Sequence, residues 1–134
     1  MSRNAARTIP VAGWFRYIRL TSQLLKGVLT VAFLFPFYNR SRRWRAVQRW
    51  SSEVIQRAGV VVRLEGKVPE PGARVIGVSN HVSWLDVPVL HSLWHVRFVA
   101  KSEVRSWPLV GWLSARTGTL FLQRANRRHA AQIN

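Results

Sequence analysis

Between Gly27 and Tyr38 the chain carries no charge, and arginines crowd both flanks: Arg16 and Arg19 before it, Arg40, Arg42, Arg43 and Arg45 after it. Such a stretch must hide its apolar surface in a protein core or in lipid. Upstream, Thr8 reads as an N-cap and Pro10 as a first-turn residue, so a helix is expected to start there. Polar residues then recur at Arg16, Arg19, Gln23, Lys26 and Thr30, three and four apart, as one narrow stripe. Apolar residues such as Trp14, Phe15, Ile18, Leu25 and Leu29 occupy most of the remaining surface. Pro36 and Asn39 are expected to end or bend the helix.

A bilayer crossing needs about 20 apolar residues, and the uncharged run has 12. Reaching back to Leu20 gives 19 but includes Lys26. Basic residues at both ends also leave the orientation unset. An interfacial or re-entrant helix with arginines snorkelling to headgroups fits both facts. A core helix of a soluble domain is the other reading, and so wide an apolar face argues against it. No small-residue cleavage site follows Pro36, so a cleaved signal peptide is not expected.

Charge narrows the partners. The 134 residues carry a formal net charge of +16, with 21 Lys and Arg against five Asp and Glu. That demands an anionic partner: nucleic acid, an anionic membrane or phosphorylated substrates. Residues 1–57 hold +10, with Glu53 their only acid. Seven tryptophans interleaved with arginine fit a membrane interface and also fit stacking on nucleic acid. Cysteine is absent, which excludes disulfides, thiolate catalysis and Cys-based zinc sites.

Residues 40–58 form a second helical pattern, with Trp44, Val47, Val54, Ile55 and Ala58 on one face and Arg42, Arg45, Arg49 and Gln56 on another. Gly59 is its natural stop. Beyond it the period changes. Strands are expected at 60–64, 74–79, 96–100 and 119–123 and helices at 85–93 and 109–116, with a further helical segment from Asn126. This alternation predicts an α/β domain with a parallel or mixed sheet. The division is a membrane-associating helical segment, 1–58, followed by an α/β segment, 59–134.

The strand Arg74–Ser79 runs directly into Asn80-His81-Val82-Ser83-Trp84-Leu85-Asp86. Polar groups just past the end of a buried strand are where open α/β sheets place their sites. His81 and Asp86 are five apart, so they do not stack on one helix face. A loop leading into a first helical turn can return the carboxylate to the imidazole, giving a base and its orienter. A His beside an acid is also a common structural pair. His91 and His95 stand at i, i+4 but lack a third or acidic ligand nearby, and His129 stands alone, so no metal site is expected. Trp107 and Trp112 read as interface anchors or packing groups.

The segment NHVSWLD resembles the NHxSxxD motif of the glycerolipid acyltransferase family, which includes 1-acylglycerol-3-phosphate acyltransferases and other lysophospholipid acyltransferases. The similarity continues through Phe98-Val99-Ala100-Lys101-Ser102-Glu103, Trp107–Gly111 and Gly118–Arg124. The basic, apolar two-helix start also resembles the membrane-anchoring start of these enzymes. The resemblance implies that His81 is a general base, oriented and charge-balanced by Asp86, which deprotonates the hydroxyl of a lysophospholipid. The acyl group would come from acyl-CoA or an acyl carrier protein as co-substrate, with no cofactor. Arg124 would hold an acceptor phosphate, with Lys101 assisting. Asn80 would fix the turn, and Ser83 would brace Asp86 or cap the following helix. The implied location is a membrane, the cytoplasmic face of the inner membrane if the source is bacterial.

The family's FPEGTR-like and VPI-like blocks are not found before Asn134. The chain is therefore expected to be a truncated form holding the first part of an acyltransferase domain, with an exposed sheet edge. Two other readings stand beside it: a basic nucleic-acid-binding module and a membrane adaptor without chemistry. Against the first, no RRM, KH or helix-turn-helix signature appears.

Overall fold

The computed structural model describes residues 11–70 and 72–123. The expected helix start at Thr8 and Pro10, the segment from Asn126, His129 and Arg124 lie outside the described residues. The chain divides into two compact units, one ending at Trp94 and one starting at His95. The sequence boundary at 58/59 falls inside the first.

In the first unit, α1 runs Val11–Leu29 and passes into a π turn, Thr30–Leu34, and a short 3₁₀ turn, Phe35–Phe37. The wide turn begins where the Thr30 hydroxyl donates to the Lys26 carbonyl at 2.8 Å, a local bond that competes with the helical ladder. Pro36, within the 3₁₀ turn, lacks the N–H that a continuing helix would need. The Asn39 side chain then accepts from the Arg42 N–H at 2.9 Å and starts α2, Arg40–Ala58. Gly59, at φ 73°, stops α2: its N–H donates to the Gln56 carbonyl, and that of Val60 to the Ile55 carbonyl. Only glycine enters that left-handed conformation without penalty. α3, Asp86–Leu93, packs on α2, with the Gln48 amide donating to the Ser92 carbonyl and Trp44 meeting His91 edge-on.

The α1–α2 contact is inside out. Two members of the α1 polar stripe, Gln23 and Lys26, meet α2. Gln23 is 0% exposed and donates to Glu53 at 2.8 Å, while Lys26 donates to the same oxygen at 2.7 Å. The Lys26 ammonium holds the Glu53 carboxyl below the usual carboxylate range, helped by Gln23 and Arg57. Trp50 donates its indole N–H to the Gln23 carbonyl, Arg57 reaches the Arg19 carbonyl, and Arg43 reaches those of Phe35 and Tyr38. The apolar stripe faces outward, with Trp14, Ile18, Leu25 and Leu29 exposed and Phe33 65% exposed. Tyr17–Phe37, 21 residues with a mean hydropathy of 1.4, is long and apolar enough to cross a membrane.

The second unit is a small β-α-β crossover. β1, Val99–Lys101, pairs in parallel with β2, Leu120–Leu122, in the register Val99↔Leu120, Ala100↔Phe121, Lys101↔Leu122. A 3₁₀ turn, Ser102–Ser106, and α4, Val110–Arg116, fill the crossover that parallel strands require. The fold is thus mixed helix and sheet, in keeping with part of an α/β acyltransferase domain. Two expected strands, 60–64 and 74–79, are corrected: both lie outside any ladder, and Ile76 is 95% exposed. Their β-branched composition favours extended backbone, but a strand exists only by hydrogen bonding to a neighbour, and no neighbour flanks them among the described residues.

Gly27 lies against the Trp50 indole so closely that a Cβ would overlap the ring. Gly27→Val is therefore expected to lower unfolding stability by about 1–3 kcal/mol, read from the denaturant midpoint. An unchanged midpoint would mean that α1 does not pack on α2 in this way.

Candidate active site

The loop Asn80–Leu85 leads into α3, and one carboxylate oxygen organises it. Asp86 Oδ2 accepts from the Val82 N–H and the Ser83 N–H, each at 2.9 Å, and meets His81 Nδ1 at 2.9 Å. The spacing explains this. Ser83 accepts from the Asp86 N–H through its carbonyl and from the Leu85 N–H through its hydroxyl. That turn sets Asp86 at the first position of α3, facing back over its own loop. An ionised carboxylate only accepts, so His81 donates through Nδ1–H, and Nε2 carries the ring's free lone pair.

The electrostatics follow from the same bonds. The Ser83 and Val82 amides, and then His81, hold the Asp86 carboxyl below the usual carboxylate range. Asp86 is therefore an anion at neutral pH, and its charge lies against the His81 ring. His81 is 64% exposed at its side chain and Asp86 30%, so the imidazole is open to solvent.

Of the other sequence candidates, Ser83 supports Asp86 through its backbone N–H and shapes the turn through its hydroxyl. The Asn80 side chain is exposed and makes no hydrogen bond among the described residues, so Val82, Ser83 and Asp86 close the turn without it. Lys101 is exposed at the end of β1 in the second unit. Arg124 lies outside the described residues. Among those residues no group of three or more His, Asp or Glu side chains could hold a metal ion. Sequence reasoning missed the part played by Val82: a valine gives no chemical signal, and its contribution is its amide.

The depressed Asp86 pKa has a definite sign. Its contribution to loop stability is complete above the ordinary aspartate value and is lost as pH falls through the lower folded value. A carbon-detected NMR titration of the Asp86 carboxyl is expected to show a midpoint below that of an aspartate in an unstructured peptide. A midpoint at or above the peptide value would contradict the three-bond arrangement.

Residues 52–134 match the family model described as Acyltransferase. The chain is 36% identical over 117 residues to a lyso-ornithine lipid O-acyltransferase of Pseudomonas aeruginosa, covering 82% of this chain and 43% of that protein. It is 36% identical over 113 residues to a lyso-ornithine lipid O-acyltransferase of Brucella abortus, covering 83% and 42%. It is 34% identical over 92 residues to a 1-acyl-sn-glycerol-3-phosphate acyltransferase of Neisseria meningitidis serogroup B, covering 69% and 36%. The chain thus spans less than half the length of these relatives. No solved structure matches it. The match over residues 52–134, which contains the His81–Asp86 pair, together with these identities, shows that the chain belongs to the acyltransferase family.

Proposed function

We propose that the chain carries the base half of an O-acyltransferase site, which moves a fatty acyl group from a thioester to the hydroxyl of a lysolipid at a membrane surface. The observation that carries this reading is the His81–Asp86 contact with Asp86 fixed by two amides. His81 Nε2 takes the acceptor hydroxyl proton as the oxygen attacks the thioester carbonyl. The C–S bond then breaks, and the departing thiolate recovers the proton from His81. Asp86 stabilises the transient imidazolium and keeps the ring in the Nδ1–H tautomer. Catalysis of this kind needs no covalent enzyme intermediate, consistent with a chain that lacks cysteine.

The donor is acyl-CoA or an acylated carrier protein. The acceptor is a lysolipid of the kind named in the relatives, lyso-ornithine lipid or 1-acyl-sn-glycerol-3-phosphate. Arg124 is assigned to a phosphate on the acceptor, where a guanidinium can bond two oxygens at once, and Lys101 adds positive charge. The outward apolar face of α1 supports attachment to a membrane, because a helix that buries Gln23 and exposes Trp14, Ile18, Leu25 and Leu29 presents a surface suited to an apolar cover. Lysolipid acceptors partition into the same layer.

The test uses this chain joined to the part of the Pseudomonas aeruginosa relative that it does not match, with acyl transfer to each lysolipid followed by mass spectrometry. His81→Ala is expected to lower kcat by about 10²–10⁴-fold while vesicle binding persists. Retained turnover would remove His81 from the role of base. Arg124→Ala is expected to raise KM for a phosphorylated acceptor about tenfold or more. Loss of kcat at unchanged KM would move Arg124 out of the acceptor site. Binding of the unfused chain to nucleic acid in place of vesicles would favour the basic-module reading.

A further inference from the structure

Leu109 is the sole non-glycine residue with positive φ among the described residues, at φ 61°, ψ −54°. The Val110 N–H donates back to the Pro108 carbonyl at 2.6 Å. Together these define a γ-turn centred on a leucine, the rare and strained member of its class. Glycine would occupy the position without its side-chain penalty. A leucine there costs stability, so the side chain must return something elsewhere. It is not a core residue: Leu109 is 53% exposed, and its neighbours Trp107 and Val110 are exposed too. The turn displays these three apolar side chains just ahead of α4.

The unit that carries this turn is basic. The Arg105 guanidinium lies 5.8 Å from the Phe121 ring centre, and that of Arg116 lies 6.0 Å from the Trp112 ring centre. Neither has an acidic partner among the described residues. Planar contact with a ring keeps each cation near the surface yet leaves its N–H groups free for an anion. Between His95 and Gln123, Glu103 is the single acid against Arg97, Lys101, Arg105 and Arg116. An apolar turn containing tryptophan, in a unit with this excess of positive charge, is complementary to an anionic bilayer: side chains enter the acyl boundary and guanidiniums meet phosphates.

We infer that the Trp107–Val110 turn of the second unit is a lipid-inserting wedge, a bilayer contact separate from α1 and independent of the proposed chemistry at His81. Leu109 is its positioning point, and the γ-turn strain is the cost of holding a leucine there.

The absence of cysteine makes the test direct, because a single introduced thiol labels one position. The full chain carries an environment-sensitive fluorophore at Val110→Cys or, as reference, at Gln123→Cys. Vesicles of mixed phosphatidylglycerol and phosphatidylcholine contain doxyl-labelled lipid as a quencher. At position 110, vesicles should shift emission to the blue and quench it; at position 123 they should do neither. Leu109→Gly should leave the unfolding midpoint equal or higher while weakening vesicle partition about tenfold, from loss of one buried leucine side chain. A lowered midpoint would make Leu109 a packing residue and overturn the inference. Equal shifts at both positions would overturn it too, as would blue emission at 110 in buffer that grows with protein concentration, which would assign the turn to a second copy. Vesicle binding without quenching at 110 would overturn the wedge alone. Absence of vesicle binding would overturn both the wedge and the membrane attachment proposed for α1.

Discussion

One oxygen atom holds the candidate site together. Asp86 Oδ2 accepts from two successive backbone amides and from the His81 ring, all at 2.9 Å. Three donors on one carboxylate oxygen keep it ionised and fix where the imidazole lies. The interval of five residues between His81 and Asp86 follows from this geometry. It leaves room for the Ser83 turn that carries Asp86 back over its loop, and a shorter helical interval would stack the two groups without enclosing the amides.

The second constraint is the reversed polarity of α1. A helix of a water-soluble domain buries its apolar stripe, whereas α1 buries Gln23 and leaves Ile18 and Leu25 outside. The interface is closed by polar bonds to α2, and the Glu53–Lys26 pair, partly exposed, contributes about 1 kcal/mol or less. Its value is orientation: Glu53 is the one acid in residues 1–57, so a single pairing fixes how α1 is rotated on α2. α2 then carries α3 on another face through Gln48 and Trp44, so Asp86 stands on the same framework as the outward apolar surface of α1.

The parts legible in the sequence were those governed by local chemistry. Gly59 ends α2 because it has a specific backbone task, whereas Asn39, expected only to end or bend the first helix, also caps α2. The pairing of His81 with Asp86 could be anticipated because the loop and first turn between them permit it. The strands at 60–64 and 74–79 could not be judged from composition, since ladder bonds depend on what lies alongside and not on β-branching. The direction of the α1 polar stripe was equally hidden: periodicity shows that a stripe exists, and only the partner shows which way it turns. Val82 and Leu109 act through backbone geometry, which their side-chain types do not announce.

The central claim is that Asp86 fixes His81 with Nδ1 protonated and Nε2 available as the base. Nitrogen-15 NMR of the labelled His81 ring, recorded with the ring neutral, tests this without needing turnover. The arrangement requires an Nδ1–H tautomer that shifts toward a mixture when Asp86→Asn removes the carboxylate. A ring protonated at Nε2 in the unaltered chain, or a tautomer indifferent to Asp86→Asn, would contradict it.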